Sequence, residues 1–372
     1  MESKQTSDET RQRARQAVTD PGAAAFGAVL ATTRREVDAR LEAMLSAELA
    51  QASRYGADTA AVSSAVRELT LRGGKRVRPA LAVAGFLATP GADEGGLGSV
   101  YEAGVALELL QTYLLIHDDW MDGDVTRRGG PAVHVLLGQH YKDARLGEVG
   151  AILAGDYACA LAQKALFRAA GPSPHGAFVA TAFARMQRDV VFGQILDVGA
   201  RAEDVEKMHE LKTASYTVMG PVELGSHLAG ADQATRTALS AYARPLGVAF
   251  QMCDDLLSAF GSEASTGKAR GNDLRAGKRT AVVVEAERRM SPAERSILAV
   301  AYGHPGASAE AIEAAIAVLD RCGARAAVEA RRDALLAQAL EGLEGGVGDG
   351  VVTERGALVL RGAARALAVR DG

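Results

Sequence analysis

Several features that would give this chain a simple reading are scarce or missing. Its three cysteines, Cys159, Cys253 and Cys322, are far apart. An odd, scattered set builds neither a disulfide framework nor a zinc knuckle and fits an intracellular, cytoplasmic protein. Neither charge sign dominates, with 42 Lys and Arg against 46 Asp and Glu for a net charge of −4. A general nucleic-acid binder needs a broad basic surface for phosphate contacts, so that class is excluded and any anion site must be local. No run reaches the ~18–20 consecutive apolar residues of a membrane helix. Ala281-Val282-Val283-Val284, for example, stops at Glu285. The first twenty residues mix both charge signs without an apolar core, so they read as a loose tail and not as a secretory signal. Proline is rare, at 10 in 372 residues, and alternating β-branched runs with hairpin turns are not found.

What is present favours helix. Hydrophobic residues at 48% and charged residues at 24% are proportions of a folded chain with a sizeable core. Alanine and leucine fill the segments between glycine clusters, and both enter helices at little cost. Apolar residues recur at helical spacing through Ala103–Ile116 and Leu239–Leu257. Both stretches are apolar around most of their circumference, which predicts helices inside a bundle. The expected fold is therefore all-α, with residues 21–372 forming one large helical domain.

Each of those two helices ends in acid. The first closes with His117-Asp118-Asp119-Trp120-Met121-Asp122 before Gly123, and the second with Gln251-Met252-Cys253-Asp254-Asp255. At about 100° per residue, Asp118 and Asp122 share one helix face a turn apart. Like charges so placed repel and call for a cation. One or two carboxylates, with water and phosphate completing the shell, is the usual way Mg²⁺ is held. Two buried helices with the same ending suggest two carboxylate walls facing a cavity, as in bundle metal sites.

Basic segments accompany the acid. Arg127-Arg128 soon follow the first cluster, and Arg72-Gly73-Gly74-Lys75-Arg76-Val77-Arg78 lies upstream of it. After the second cluster, Gly261–Thr280 holds five basic residues against two acidic ones. Carboxylates that bind a divalent metal, a metal that binds diphosphate, and Arg/Lys on the remaining phosphate oxygens explain the set jointly. Rival motifs fail on spacing. A calcium loop from Asp118 would put Trp120 at a ligand position and Gly129 at the closing Glu. A Walker loop needs four residues between its glycines, where Gly261 and Gly267 have five. A helical phosphohydrolase using His117-Asp118 with His134 or His140 stays open as an alternative, although it leaves the second cluster without a role.

In order along the chain, Gly73-Gly74-Lys75-Arg76-Val77-Arg78-Pro79, Asp118-Asp119-Trp120-Met121-Asp122 with Arg127-Arg128-Gly129, Gly193-Gln194-Ile195-Leu196-Asp197, Lys212-Thr213, Gln251-Met252-Cys253-Asp254-Asp255 and Gly267-Lys268…Asp273…Gly277-Lys278-Arg279-Thr280 resemble the signatures of trans-isoprenyl diphosphate synthases, or polyprenyl synthetases. The resemblance implies an isoprenoid-synthase helical bundle around a deep central cavity, usually a homodimer. It implies condensation of isopentenyl diphosphate head-to-tail with an allylic diphosphate, using Mg²⁺, three ions per active site. Transferred position by position, Asp118, Asp119, Asp122, Asp254 and Asp255 bind metal. Arg127, Lys212, Thr213, Gln251, Lys268 and Lys278 hold the allylic diphosphate, while Lys75, Arg78, Gln111 and Arg128 hold isopentenyl diphosphate. The aspartates, with Arg127, Lys212 and Lys268, form the catalytic set, and the departing diphosphate is the base. His117 is expected to be structural.

One position departs from the family pattern: Ser258 stands where a third acid often completes the second motif. Product length by family rule is set just before Asp118, at Tyr113, whereas the helical wheel alone nominates Leu114. An aromatic at Tyr113 and a first motif without insertion resemble geranylgeranyl (C20) diphosphate synthases, with C15 farnesyl diphosphate as the alternative. A class I terpene cyclase would share the fold but not Lys75 and Arg78. A non-catalytic partner subunit is the remaining alternative.

Overall fold

The computed structural model describes residues 20–171, 173–199, 205–261 and 270–368. Nearly all of the expected tail, residues 1–19, and Lys268 lie outside the described residues. The elements are α1 (Pro21–Ala52), α2 (Ala57–Leu71), α3 (Val77–Leu87), α4 (Leu97–Asp122), α5 (Val133–Tyr141), α6 (Ala144–Ala170), α7 (Gly176–Val198) and α8 (Val205–His209). A π-helical stretch, Glu210–Met219, comes next. Then follow α9 (Gly220–Leu228), α10 (Gln233–Phe260), α11 (Asn272–Arg275), α12 (Ala281–Arg289), α13 (Pro292–Ala301), α14 (Ala309–Arg321), α15 (Ala324–Gly348) and α16 (Glu354–Ala368). The fold is all-α, as composition and periodicity predicted. The only strands among the described residues are β1 (Thr126–Arg127) and β2 (Gly130–Pro131), two residues each.

Local chemistry sets the helix ends. Asp143 accepts hydrogen bonds from the Arg145 and Leu146 amides at the start of α6, and Asp232 accepts from Thr235 at the start of α10. Ser291 and Glu294 make a capping box on α13, with Pro292 at its first position. Gly123 ends α4 at a φ of 70°, which a residue without Cβ adopts at no steric cost.

Two compact units divide the chain. The first comprises Ala25–Ala182 and Pro221–Ala231. Its centre is α4 packed along α6, with Val100, Ala103, Leu107 and Leu110 of α4 and Ala151, Ala154 and Ala158 of α6 buried. Every side chain from Pro79 to Leu87 of α3 is buried as well. The small residues of α6 are what let its backbone approach so closely.

The second unit takes Phe183–Gly220, Asp232–Gly372 and the described residues before Ala25. Here α10 packs on α15 and on the π-helical stretch. Tyr242, fully buried on α10, donates its hydroxyl to the Leu360 carbonyl of α16 at 2.7 Å. Burial holds that phenol far above its ordinary pKa, so it remains a donor throughout the working pH range. Tyr242→Phe should cost about 1 kcal/mol, read as a lower urea midpoint at unchanged slope. An unchanged midpoint would show that the hydroxyl does not tie α16 to α10.

Candidate functional site

The first unit assembles the opening basic motif around an ion triad centred on buried Arg76. Arg76 is 3% exposed and sits at a φ of 51° just before α3. Its Nε donates to Asp38 at 2.7 Å, its guanidinium also pairs with buried Glu108, and it reaches the Thr70 carbonyl. Burial works against its charge, but Glu108 and Asp38 together outweigh that and leave its pKa raised. Arg76 is thus committed to structure, while Lys75 is exposed and Arg78 half-buried on either side of it. Sequence reading gave Asp38 and Glu108 no role. The available signal was Glu108, a lone charge inside the apolar stretch Ala103–Ile116.

Arg127 and Arg128 belong to a two-residue hairpin. Arg127 pairs with Gly130, and the turn residues Arg128 and Gly129 have φ values of 52° and 74°. Two successive positive φ values are what a type I′ turn requires, and asparagine-glycine is its common solution. An arginine there stores strain, which clusters at functional sites. Arg72 braces the hairpin by donating to the Pro131 carbonyl at 2.7 Å and the Arg127 carbonyl at 3.2 Å. Arg128 donates to the Leu69 carbonyl. Burial lowers its pKa, and Arg76, Arg78 and Arg127 add to this against the opposing pull of Glu108. Cations held this close in a partly buried place favour an anion among them. Nearby on α4, Gln111 is 8% exposed and its Oε1 has no hydrogen-bond partner, as a residue awaiting a ligand would be.

The first acidic cluster divides its labour. Asp119 is fully buried and binds Arg127, whose Nε lies 2.6 Å from Oδ1. Burial pushes the Asp119 carboxyl up, and Arg127 pulls it only partly back. Asp118 is half-buried, 4.0 Å from the Arg127 guanidinium, and Asp122 is exposed. Asp118 and Asp122 therefore keep the one-turn spacing expected of a metal-binding pair, whereas Asp119 faces an arginine. Its second oxygen is buried without a hydrogen-bond partner. Among the described residues no three His, Cys, Asp or Glu side chains come together as a closed metal cage. Mg²⁺ needs none, because it takes one or two carboxylates plus water and phosphate. The pair Asp118 and Asp122 fits it. The phosphohydrolase alternative does not assemble: His140 is engaged with Asp58 at 2.9 Å and His117 with the Ile152 carbonyl.

The second unit wires its motifs into one chain of hydrogen bonds. Thr213 donates its hydroxyl to Gln251 Oε1, Gln251 Nε2 donates to Asp255 Oδ1 at 2.8 Å, and the Ala281 amide donates to Asp255 Oδ2 at 2.8 Å. His209, also buried, stands 3.4 Å from the same carboxylate. Burial raises the Asp255 pKa, with His209 and Gln251 opposing it. Asp255 thus has both oxygens occupied by protein, while Asp254 is half-buried beside it. Lys212 gives its ammonium to Asp197, and a Cβ at Gly193 would overlap the Lys212 backbone. The two central signatures accordingly meet.

At the end of α10, Ser258 donates its hydroxyl to Asp273. Asp255, Ser258, Asp273 and Lys278 line one small cavity, and the Lys278 amide donates to the Asp273 carbonyl at 2.9 Å. Where the family often has a third acid, this chain brings a carboxylate from the following loop to a serine. On α4, Tyr113 and Leu114 are both half-buried, directly after the fully buried run that ends at Thr112.

Comparison with known proteins gives the family. A family model described as polyprenyl synthetase matches residues 59–319. A geranylgeranyl diphosphate synthase of Methanosarcina mazei is 35% identical over 297 residues, covering 77% of this chain and 82% of the relative. A (2E,6E)-farnesyl diphosphate synthase of Mycobacterium bovis is 35% identical over 270 residues, covering 70% and 71%. Among solved structures, geranylgeranyl pyrophosphate synthase of Corynebacterium glutamicum, complexed with isoprenyl diphosphate and magnesium, superposes with a TM-score of 0.85 at 33% identity, covering 92% of this chain and 99% of its own. The matched span takes in every motif from Arg72 to Thr280, and the chain belongs to the polyprenyl synthetase family.

Proposed function

We propose that this protein is a trans-prenyltransferase that condenses isopentenyl diphosphate head-to-tail with allylic diphosphates as far as C20 geranylgeranyl diphosphate. The observation that carries the reading lies within the first unit. A helix end bearing Asp118 and Asp122 is followed at once by a braced hairpin whose arginines crowd together. A diphosphate answers both, through metal on one side and guanidinium on the other. A C15 product is the second reading, because a farnesyl diphosphate synthase matches at the same 35% identity, over a shorter span than the geranylgeranyl one.

In this reading Asp118, Asp122 and Asp254 hold Mg²⁺, three ions in all, with Asp119 and Asp255 supporting from behind. Bound Mg²⁺ supplies Lewis-acid neutralisation of the leaving diphosphate. Arg127, Lys212 and Lys278, with Lys268, bind the allylic diphosphate and stabilise the charge that grows on it as the C–O bond breaks. Thr213 and Gln251, bonded to each other and through Gln251 to Asp255, complete the set that holds it. Lys75, Arg78, Gln111 and Arg128 hold isopentenyl diphosphate, whose π electrons form the new C–C bond. The departing diphosphate takes the proton that is then lost. The apolar interior must exclude water, which would otherwise capture the allylic cation.

The remaining parts of the reading are a cytoplasmic setting, one working domain and a homodimer. The described cysteines are free thiols. Leu146, Val149, Leu153 and Phe167 are exposed along α6, and Phe192 and Ile195 along α7. Apolar faces of this extent belong to interfaces, and a second copy is the occupant the family resemblance implies. Sedimentation equilibrium should give twice the chain mass, and a monomer would remove the dimer.

Purified protein incubated with Mg²⁺, isopentenyl diphosphate and C5, C10 or C15 primers should yield a dominant C20 product by mass spectrometry. A C15 end point would select the second reading, and no condensation would reject the enzyme. Asp118→Ala should lower kcat with every primer by at least about a thousandfold, the scale of losing a transition-state charge clamp. A near-normal rate would dismiss the carboxylate pair. Lys75→Ala should raise KM for isopentenyl diphosphate by roughly tenfold, and an effect confined to the allylic primer would reverse the assignment.

A further inference from the structure

Tyr113 does not stand alone on α4. One turn later, His117 presents its ring to it edge-on, with centroids 4.9 Å apart and planes at 71°. Residues four apart on a helix are neighbours, so this contact is built into the spacing. His117 is itself held from the facing helix. Its Nε2 lies 3.1 Å from the Ile152 carbonyl oxygen of α6. A carbonyl can only accept, so Nε2 carries the proton and the tautomer is fixed.

The space that His117 occupies is made by Gly155, three residues on from Ile152. A Cβ there would overlap the imidazole at Nε2. Gly155 is buried in the middle of α6, where glycine costs about 1 kcal/mol relative to alanine, and its φ lies outside the left-handed range. Only the close approach of the histidine accounts for it. Burial raises the Tyr113 phenol pKa, and Cys159 and Asp156 of α6 add to it.

We propose that His117 is a positioning residue for product length: pinned to the Ile152 carbonyl in the notch left by Gly155, it fixes the Tyr113 ring across the growing prenyl chain. This rests on the reading of Tyr113 as the pocket floor. His117 then sets chain length through Tyr113, without touching diphosphate or metal. Without it, the phenol ring could swing about its χ1 and χ2 torsions and admit one more C5 unit.

The test measures product ratios in the intact enzyme with Mg²⁺, isopentenyl diphosphate and a C15 primer, for Tyr113→Ala, His117→Ala, their double variant and Gly155→Ala. His117→Ala should raise the ratio of the next-longer product to the wild-type product roughly fivefold, the scale of one edge-on ring contact. Gly155→Ala should shift the ratio the same way although both aromatic side chains remain. If Gly155→Ala fails to fold, His117→Ala and the double variant still decide. The double variant should match Tyr113→Ala alone, because His117 acts only through that ring. Lengthening by Tyr113→Ala combined with an unchanged ratio in His117→Ala, even at reduced rate, overturns the proposal and leaves the floor standing. Additive shifts in the double variant overturn it too. No lengthening by Tyr113→Ala takes away the floor itself and the inference with it.

Discussion

A charge that is sunk into the protein so that its neighbour can serve a ligand is the constraint on which both units are built. Arg76 lies between Asp38 and Glu108, Asp119 lies against Arg127, and Asp255 receives Gln251 and the Ala281 amide. Each belongs to a run of like charges: Lys75-Arg76…Arg78, Asp118-Asp119…Asp122 and Asp254-Asp255. In a helix, as at Asp118-Asp119 and Asp254-Asp255, adjacent residues point about 100° apart, so a doublet cannot face one target, and ahead of α3 the Lys75-Arg76 pair divides likewise, with Arg76 buried and Lys75 exposed. One member goes inward and the other stays nearer solvent. The inward member is costly to bury, and removing one partner from a buried pair costs about 3–5 kcal/mol. Its partners are therefore as much a part of the motif as the residues that would touch substrate.

The same constraint explains how each unit holds so many charges without their collapsing on one another. Arg127 is drawn to Asp119, which keeps it beside Asp118 without closing over it. Lys212 leans on Asp197, and the Ser258 hydroxyl donates a hydrogen bond to Asp273. These contacts set positions before any diphosphate arrives, and prior positioning is where electrostatic catalysis gains most. The second unit adds a π-helical stretch that carries Lys212 and Thr213. Such segments are rare and occur mostly at functional sites, and here the wider turn accompanies the Thr213–Gln251 bond.

Much of this was legible in the sequence. The apolar stretches Ala103–Ile116 and Leu239–Leu257 lie within α4 and α10, and the fold is all-α because their neighbours share that composition. The Asp118–Asp122 spacing is read directly off helical geometry. Adjacency did not reveal that Asp119 and Asp255, grouped with the metal ligands, would also be engaged by protein, through Arg127 and through Gln251 and the Ala281 amide. The helical wheel contained a warning, since a neighbour 100° away seldom shares a ligand. The hairpin at Thr126–Pro131 was hidden because its turn carries Arg128 where asparagine is the usual signal. Asp38, His209 and Gly155 were invisible for a different reason: each acts on a residue distant in sequence, and no local pattern announces that.

The braced hairpin also bears on the thermodynamics of anion capture. Arg128 is held at a positive φ by its turn, by the Leu69 carbonyl and by the grip of Arg72 on both strands. A loop that froze only on contact would lose backbone entropy of about 1–2 kcal/mol per residue at that moment. Here the loss has already been met during folding, so an incoming diphosphate finds a rigid receptor. Binding at this turn should then carry a small entropic penalty and change little in heat capacity from ordering, leaving the enthalpy of charge pairing to set the affinity.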